Sequence, residues 1–257
     1  KDTDGIQPGF YIVGAQTNIG KTAFLTNLFL DLLNNNGPDL NGVYFSFDDN
    51  KDIIINRFLS FYSGLSLNQI QRKQESDEAQ NKLRDAYQKL ADLSDNGRLT
   101  IRDLSEVSHI DALELEIRAR TDKKLFVVVD GLHNVEVETD NTGLREENIE
   151  RANRLKALVD TYRIPLITTG ELRKKSQDKG QDKPPTIHDL METGKFAYNA
   201  NLVWLLYPEK LEDFKTKDEP NLILDYAKNK LSHYKATRTL KFVKAQGKIQ
   251  EDNSVYR

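Results

Sequence analysis

The chain has 257 residues, a formal net charge of −3 and no cysteine. That length can bury a sizeable core in one large α/β domain or two small ones, and the near-neutral charge excludes nucleic-acid binding by a uniformly basic surface, though not by a basic channel. Disulfides and thiolate metal sites are excluded, and no apolar run reaches membrane-spanning length or reads as a signal peptide, so a soluble, intracellular protein with no membrane partner is expected.

Strand-like and helix-like segments alternate, the pattern of a mostly parallel sheet covered by helices on both faces. Phe10–Val13 reads as a first strand. The helix Lys21–Leu33 follows, with Phe24, Leu25, Leu28, Phe29 and Leu32 on its apolar face, and Asn36, Gly37 and Pro38 stop it. Val43–Phe47 is a second buried strand and Ile53–Gly64 a helix closed by its glycine. Ser76–Leu93 is a polar helix with Leu83, Tyr87 and Leu90 on one face; Ser108–Arg120 is another, with Ser108 and Asp111 spaced as a capping box. Leu125–Val129 is a continuous apolar strand ending at Asp130, Glu146–Tyr162 is helical, and Ile164–Thr169 and Leu202–Tyr207 are further strands. Asn221–Ala227 and Thr237–Val243 read as a C-terminal antiparallel β extension.

The polar stretch Arg173–Pro185 reads as a loop within one sheet, so a single domain is expected over residues 1–257. Lys1 is not an initiator Met and the first strand comes almost at once. A fragment or single domain of a longer protein is therefore expected. From Lys228 to Gln250 the chain carries Lys228, Lys230, Lys235, Arg238, Lys241, Lys244 and Lys248 with no acidic residue. Such a run suits either a basic channel or an edge strand guarded by lysines.

The run Gly14, Ala15, Gln16, Thr17, Asn18, Ile19, Gly20, Lys21, Thr22 lies between the first strand and the helix opened by Ala23, the layout of a phosphate-binding loop. Backbone N–H groups at a helix N-terminus cradle phosphates, Lys21 reaches the β and γ oxygens, and the Thr22 hydroxyl ligates Mg²⁺. ATP and Mg²⁺ are the expected ligands, with nucleotide contacts over Ala15–Ala23. The strict pattern wants Gly where Ala15 stands, so its flanking strand and helix carry the assignment. Phosphoryl transfer to water also needs a carboxylate near the metal, which Asp130 supplies at a strand end, and a base for the water. The base should end the strand next to the P-loop strand; Val43–Phe47 ends in Asp48 and Asp49, which also read as a turn or helix cap. His133 reads either as a polar contact beside the nucleotide or as an ordinary loop residue. The remaining histidines, at 109, 188 and 233, have no metal-ligand spacing.

These motifs carry a resemblance. Gly5 to Gly9, the P-loop with Ala15 at its first conserved position, Ser46-Phe47-Asp48, Val127 to Asp130, and Asp189 to Gly194 occur in the order and spacing of the DnaB-type replicative helicase motor domain. From about Gly5 to about Gln250 the chain resembles that RecA-like P-loop ATPase, phage relatives included. The resemblance implies a homo-oligomeric ring, usually of six subunits, that encircles single-stranded DNA and hydrolyses ATP between subunits during DNA replication. It implies a primase or loader as a partner, and the cytoplasm of a bacterium or phage-infected host. Asp48 falls where the family has a water-activating Glu, Asp130 on its metal-holding Asp, Glu171 on its γ-phosphate-sensing Gln, and His133 on a polar residue three positions past the Asp. Lys228 and Lys230 match its interface-crossing basic pair, Lys230 in the arginine-finger position. The DNA-facing loop matches Asp189–Lys195 with Met191 in place of Arg; Arg173, Lys174, Lys175, Glu192, Gly194 and Lys195 are the expected DNA contacts.

Asp is one methylene shorter than Glu, Glu171 would repel a γ-phosphate where Gln would donate to it, and Lys230 lacks the planar fork of Arg. An ATP-binding assembly or regulatory module with weak or lost hydrolysis is therefore the second reading. A RecA-like ATPase acting on protein or recombination intermediates is the third.

Overall fold

A computed structural model describes residues 6–72, 76–139, 143–173, 184–191 and 194–251. In chain order the elements are β1 (Gly9–Ala15), α1 (Lys21–Asn35), β2 (Leu40–Ser46), α2 (Lys51–Ser63), α3 (Leu67–Gln71), α4 (Asp77–Asp95), β3 (Leu99–Asp103), α5 (Ile110–Arg118) and β4 (Lys124–Asp130). There follow α6 (Leu144–Tyr162), β5 (Pro165–Glu171), α7 (Gly194–Asn199), β6 (Leu202–Pro208), α8 (Leu211–Thr216), β7 (Asn221–Asn229), β8 (Thr237–Val243) and β9 (Lys248–Glu251). One nine-stranded sheet runs in the order β3-β2-β4-β5-β1-β6-β7-β8-β9. The strands from β3 to β6 are parallel, and β7, β8 and β9 add on antiparallel.

The sheet is buried on both faces, which is why its strands read as continuous apolar runs. Successive residues point to opposite sides. Tyr11, Val13, Tyr44, Phe126 and Val128 join one core with α1, α2 and α4, whereas Phe10, Ile12, Val43, Phe45, Val127 and Val129 join another with α5 and α6. On the first side Phe29, Tyr44, Phe58 and Phe126 form an aromatic cluster with centroids 4.9–5.8 Å apart. A Cβ at position 42 would lie 2.6 Å from the Phe126 ring and 2.7 Å from Phe29, so only Gly42 fits beneath it.

Three sequence expectations need correction. The P-loop strand β1 is flanked by β5 and β6, so β2, which leads to Asp48, is not its neighbour but lies beyond β4 and β5. Ser108 does not cap α5: its carbonyl accepts from Glu136 N–H at 2.8 Å, holding it in extended pairing, and His109 becomes the cap with Nδ1 accepting from Asp111 N–H. Strands β3 and β9 were unforeseen, and β7 runs two residues further than expected, to take in Lys228. Lys241 pairs with Glu219 and Lys244 donates to the Phe214 carbonyl, so these lysines of the basic run serve the antiparallel edge. Among the described residues no helix is long and apolar enough to cross a membrane.

Candidate nucleotide site

The site forms where β1, β2, β4 and β5 end, at the carboxyl edge of the parallel sheet. Crevices at that edge are where open α/β sheets bind ligands. After Ala15 the chain turns through Asn18, at φ 65°, and Gly20, at φ 110°, into α1. That φ at Gly20 is one L side chains rarely adopt. The α1 N-terminus has no side-chain cap, so its first amides face the loop unsatisfied, the condition for binding an anion. Ala15, Ile19 and Ala23 turn their side chains into the core, leaving backbone groups for a ligand.

Lys21 Nζ donates to the carbonyls of Ala15 at 3.2 Å and Gln16 at 3.5 Å, and pairs with Glu171 Oε1 at 2.5 Å. The other oxygen of Glu171 accepts from the Thr17 hydroxyl at 3.0 Å. The carboxylate at the end of β5 therefore lies on the two P-loop side chains best suited to phosphate. Its backbone continues into the polar loop: Met191 N–H donates to the Glu171 carbonyl, Arg173 N–H to Asp189, and Leu172 bridges to Leu190.

Asp130 ends β4, almost wholly buried. The Tyr44 hydroxyl donates to its Oδ2 at 3.0 Å, while Oδ1 is buried without a partner. Burial pushes its pKa up to about 6; the Thr22 and Tyr44 hydroxyls oppose that rise and the charges of Asp48 and Asp49 add to it. A bare, buried carboxylate oxygen beside a threonine hydroxyl is an oxygen donor set of the kind Mg²⁺ takes, directly or through its waters. The residues present fit that ion.

Asp48 follows β2. Its pKa is raised, chiefly by burial, with the charges of His133 and Lys21 working against the rise and those of Asp49 and Glu171 with it. His133 Nε2 lies 3.4 Å from Asp48 Oδ1. Lys21, Thr22, Asp48, Asp130, His133 and Glu171 are thus brought into one electrostatic neighbourhood from four separate strand ends.

Lys228 and Lys230 are held apart from it, at the C-terminal end of α7. Lys228 Nζ donates to the carbonyls of Ala197 at 2.6 Å and Tyr198 at 2.9 Å, and Lys230 Nζ to Tyr198 at 3.4 Å, with both ammonium groups over the exposed Tyr198 ring. Burial, and then the neighbouring charge of Lys230, pull the Lys228 pKa down to about 8. The geometry does not bring this pair to the P-loop of its own chain. Glu171, Arg173, His133, Met191, Tyr198 and Lys228 line a cavity of about 1270 Å³ that runs from the site's mouth towards α7. Of the expected DNA contacts, Arg173 is described and accepts through its carbonyl from Gln16 Nε2 at 3.5 Å. Gly194 and Lys195 begin α7, and Lys174, Lys175 and Glu192 lie outside the described residues. Sequence reasoning missed Tyr44 and Asn134. Their contacts with Asp130 and Asp48 cross 86 positions of chain, and no local pattern signals them.

The sequence profile of the DnaB-like helicase C terminal domain matches residues 1–251. The chain belongs to this DnaB-like family. It is 26% identical over 219 residues to the replicative DNA helicase DnaB of Rickettsia typhi, covering 81% of this chain and 42% of that protein. With DnaB of Geobacillus stearothermophilus the identity is 25% over 222 residues, covering 85% and 47%. A probable plasmid replicative DNA helicase of Chlamydia psittaci is 24% identical over 252 residues, covering 93% and 51%. The chain thus spans about half the length of these relatives. Among solved structures, the ATPase domain of a phage helicase superposes with a TM-score of 0.85 at 21% identity, covering 98% of this chain and 87% of that one. A DnaB-like replicative helicase described with its primase interactions gives 0.84 at 21% identity, covering 96% and 58%. The DnaB-like domain therefore has the RecA-like ATPase fold, a mostly parallel sheet with a C-terminal antiparallel extension.

Proposed function

We propose that this DnaB-like domain is the ATP-hydrolysing motor of a DNA helicase, working in a homo-oligomeric ring on single-stranded DNA during replication. The observation that carries the reading is the convergence of Lys21, Thr22, Asp48 and Asp130 at one end of the parallel sheet, beside an uncapped helix N-terminus. The α1 amides and Lys21 bind and orient the triphosphate. Thr22 and Asp130 would hold Mg²⁺, which when bound supplies charge neutralisation at the β and γ oxygens. Asp48 accepts a proton from the attacking water, its raised affinity for protons suiting a base better than a free aspartate does. Glu171 leaves Lys21 when phosphate enters and carries that displacement into the loop of Arg173 and Met191, which contacts DNA together with Lys174, Lys175, Glu192, Gly194 and Lys195.

Lys228 and Lys230 serve the nucleotide of a neighbouring subunit, the role that their separation from their own P-loop supports. A six-membered ring, a primase or loader as partner, and the cytoplasm as site of action follow from the family. The second reading, ATP as an assembly ligand with little turnover, is favoured by the Glu171 carboxylate lying on Lys21. ATP turnover with and without single-stranded DNA, in the wild type, Lys21→Ala and Asp48→Asn, separates the two. The motor reading predicts DNA-stimulated turnover that both substitutions abolish; tight ATP binding and ring formation without turnover would select the second.

A further inference from the structure

Asp48 does not stand free at the end of β2. Its Oδ1 accepts a hydrogen bond of 2.9 Å from Asn134 Nδ2, and the same amide nitrogen donates to the Phe47 carbonyl at 3.0 Å. Asn134 closes the 3-10 turn Leu132–Asn134 that follows β4, its own N–H bonded to the Gly131 carbonyl at 2.9 Å. Gly131 opens that turn at φ 82°, and a Cβ there would lie 2.6 Å from Asp48 Cγ and Oδ1 and 2.8 Å from Asp48 N. The Asp48 carboxylate therefore rests on the bare Cα of Gly131. The two strand ends are tied at the backbone as well, by Phe47 N–H to the Asp130 carbonyl at 2.8 Å.

We infer that Asn134 is a positioning residue for Asp48, fixing the carboxylate against the Gly131 turn so that one oxygen is committed and the other is presented to water. The inference rests on the reading that Asp48 acts on the attacking water. Its physical basis is that the two protons of one amide hold both the carbonyl just before Asp48 and the Asp48 carboxylate, so the side chain is fixed relative to its own backbone. Among the described residues nothing donates to Asp48 Oδ2. A longer side chain would have to leave the Gly131 face, so aspartate, glycine and asparagine here form a matched set, and the missing methylene is compensated by the approach of the β4 turn.

The test is DNA-stimulated ATP turnover of the full chain, with thermal melting to show that each variant is folded. Asn134→Ala should lower kcat about tenfold, the equivalent of one lost hydrogen bond in the transition state, with KM unchanged. Asn134→Asp, which keeps the volume but replaces the donor with a like charge, should lower kcat further, and it covers the case in which truncation unfolds the turn. In the Asp48→Asn background Asn134→Ala should cost nothing more, because the group it positions is already gone. Asp48→Asn inactive with Asn134→Ala and Asn134→Asp within twofold of wild type would overturn the inference and leave the role of Asp48 standing. The inference falls equally if Asn134→Ala multiplies the Asp48→Asn defect. A wild type without turnover, or Asp48→Asn at the wild-type rate, would remove the role of Asp48 and the inference with it.

Discussion

Replacing Glu171 with Gln should make the protein bind ATP more tightly while making the ligand-free protein less stable, and by the same free energy. The ion pair of Glu171 with Lys21 at 2.5 Å, reinforced by the Thr17 hydroxyl at 3.0 Å, exists only while the P-loop is free, because phosphate needs both partners. A charge-assisted hydrogen bond contributes roughly 1.5–3 kcal/mol net. Lys21 keeps its bonds to the carbonyls of Ala15 and Gln16, so the lower end applies, about 1.5 kcal/mol. That corresponds to a Kd about tenfold lower, at roughly 1.4 kcal/mol per decade. The ligand-free melting temperature should fall by roughly 3–6 °C for a chain of this size. Calorimetric titration of ATP with Mg²⁺ and thermal melts of the ligand-free proteins measure the two sides. Weaker ATP binding by Glu171→Gln, with an unchanged melting temperature, would establish the reverse, that the carboxylate supports the bound nucleotide instead of competing with it.

Asp130→Asn should abolish Mg²⁺-dependent turnover yet stabilise the ligand-free fold at pH 8. Burial lifts the Asp130 pKa to about 6 from 3.8, so its contribution to stability is complete below pH 3.8 and is lost as pH rises through 6, on the order of 3 kcal/mol. Melts at pH 5 and pH 8 should therefore differ by less in Asp130→Asn than in the wild type; equal differences would exclude the buried charge. The double variant Lys228→Ala, Lys230→Ala should bind ATP normally and fail to turn it over, and in rings mixed with Lys21→Ala subunits some activity should return where an intact P-loop meets an intact lysine pair. No recovery in mixed rings would count against a role between subunits. Arg173→Ala should weaken single-stranded DNA binding and flatten its salt dependence by about 0.7 in the log–log slope, the signature of one lost phosphate contact. An unchanged slope would remove Arg173 from the DNA path.

The P-loop was legible in the sequence because its chemistry resides in contiguous backbone between a strand and a helix, and Gly20 needs a φ that side chains disfavour. The interior strands were legible because burial on both faces makes them continuous apolar runs, as in Leu125 to Val129. Strand β3 escaped because it is an edge strand of five residues, two of them charged, and β9 because it has four, mostly polar. The order of the strands is not written in any one segment, so the expectation that β2 adjoins β1 failed although Asp48 still arrives at the site. For the same reason Tyr44 on Asp130 and Asn134 on Asp48 had no local signal. The cap of α5 moved to His109 because pairing of Ser108 with Glu136 keeps the chain extended for one more residue.

Whether the bend at Gly20 wraps a triphosphate against Thr22 and Asp130 is decided by calorimetric titration of ATP with Mg²⁺ into the wild type and Lys21→Ala. Saturable binding at one site per chain is expected, requiring Mg²⁺ for full affinity and lost in Lys21→Ala. Absence of binding in the wild type, or equal binding by both proteins, would mean that this loop holds no nucleotide.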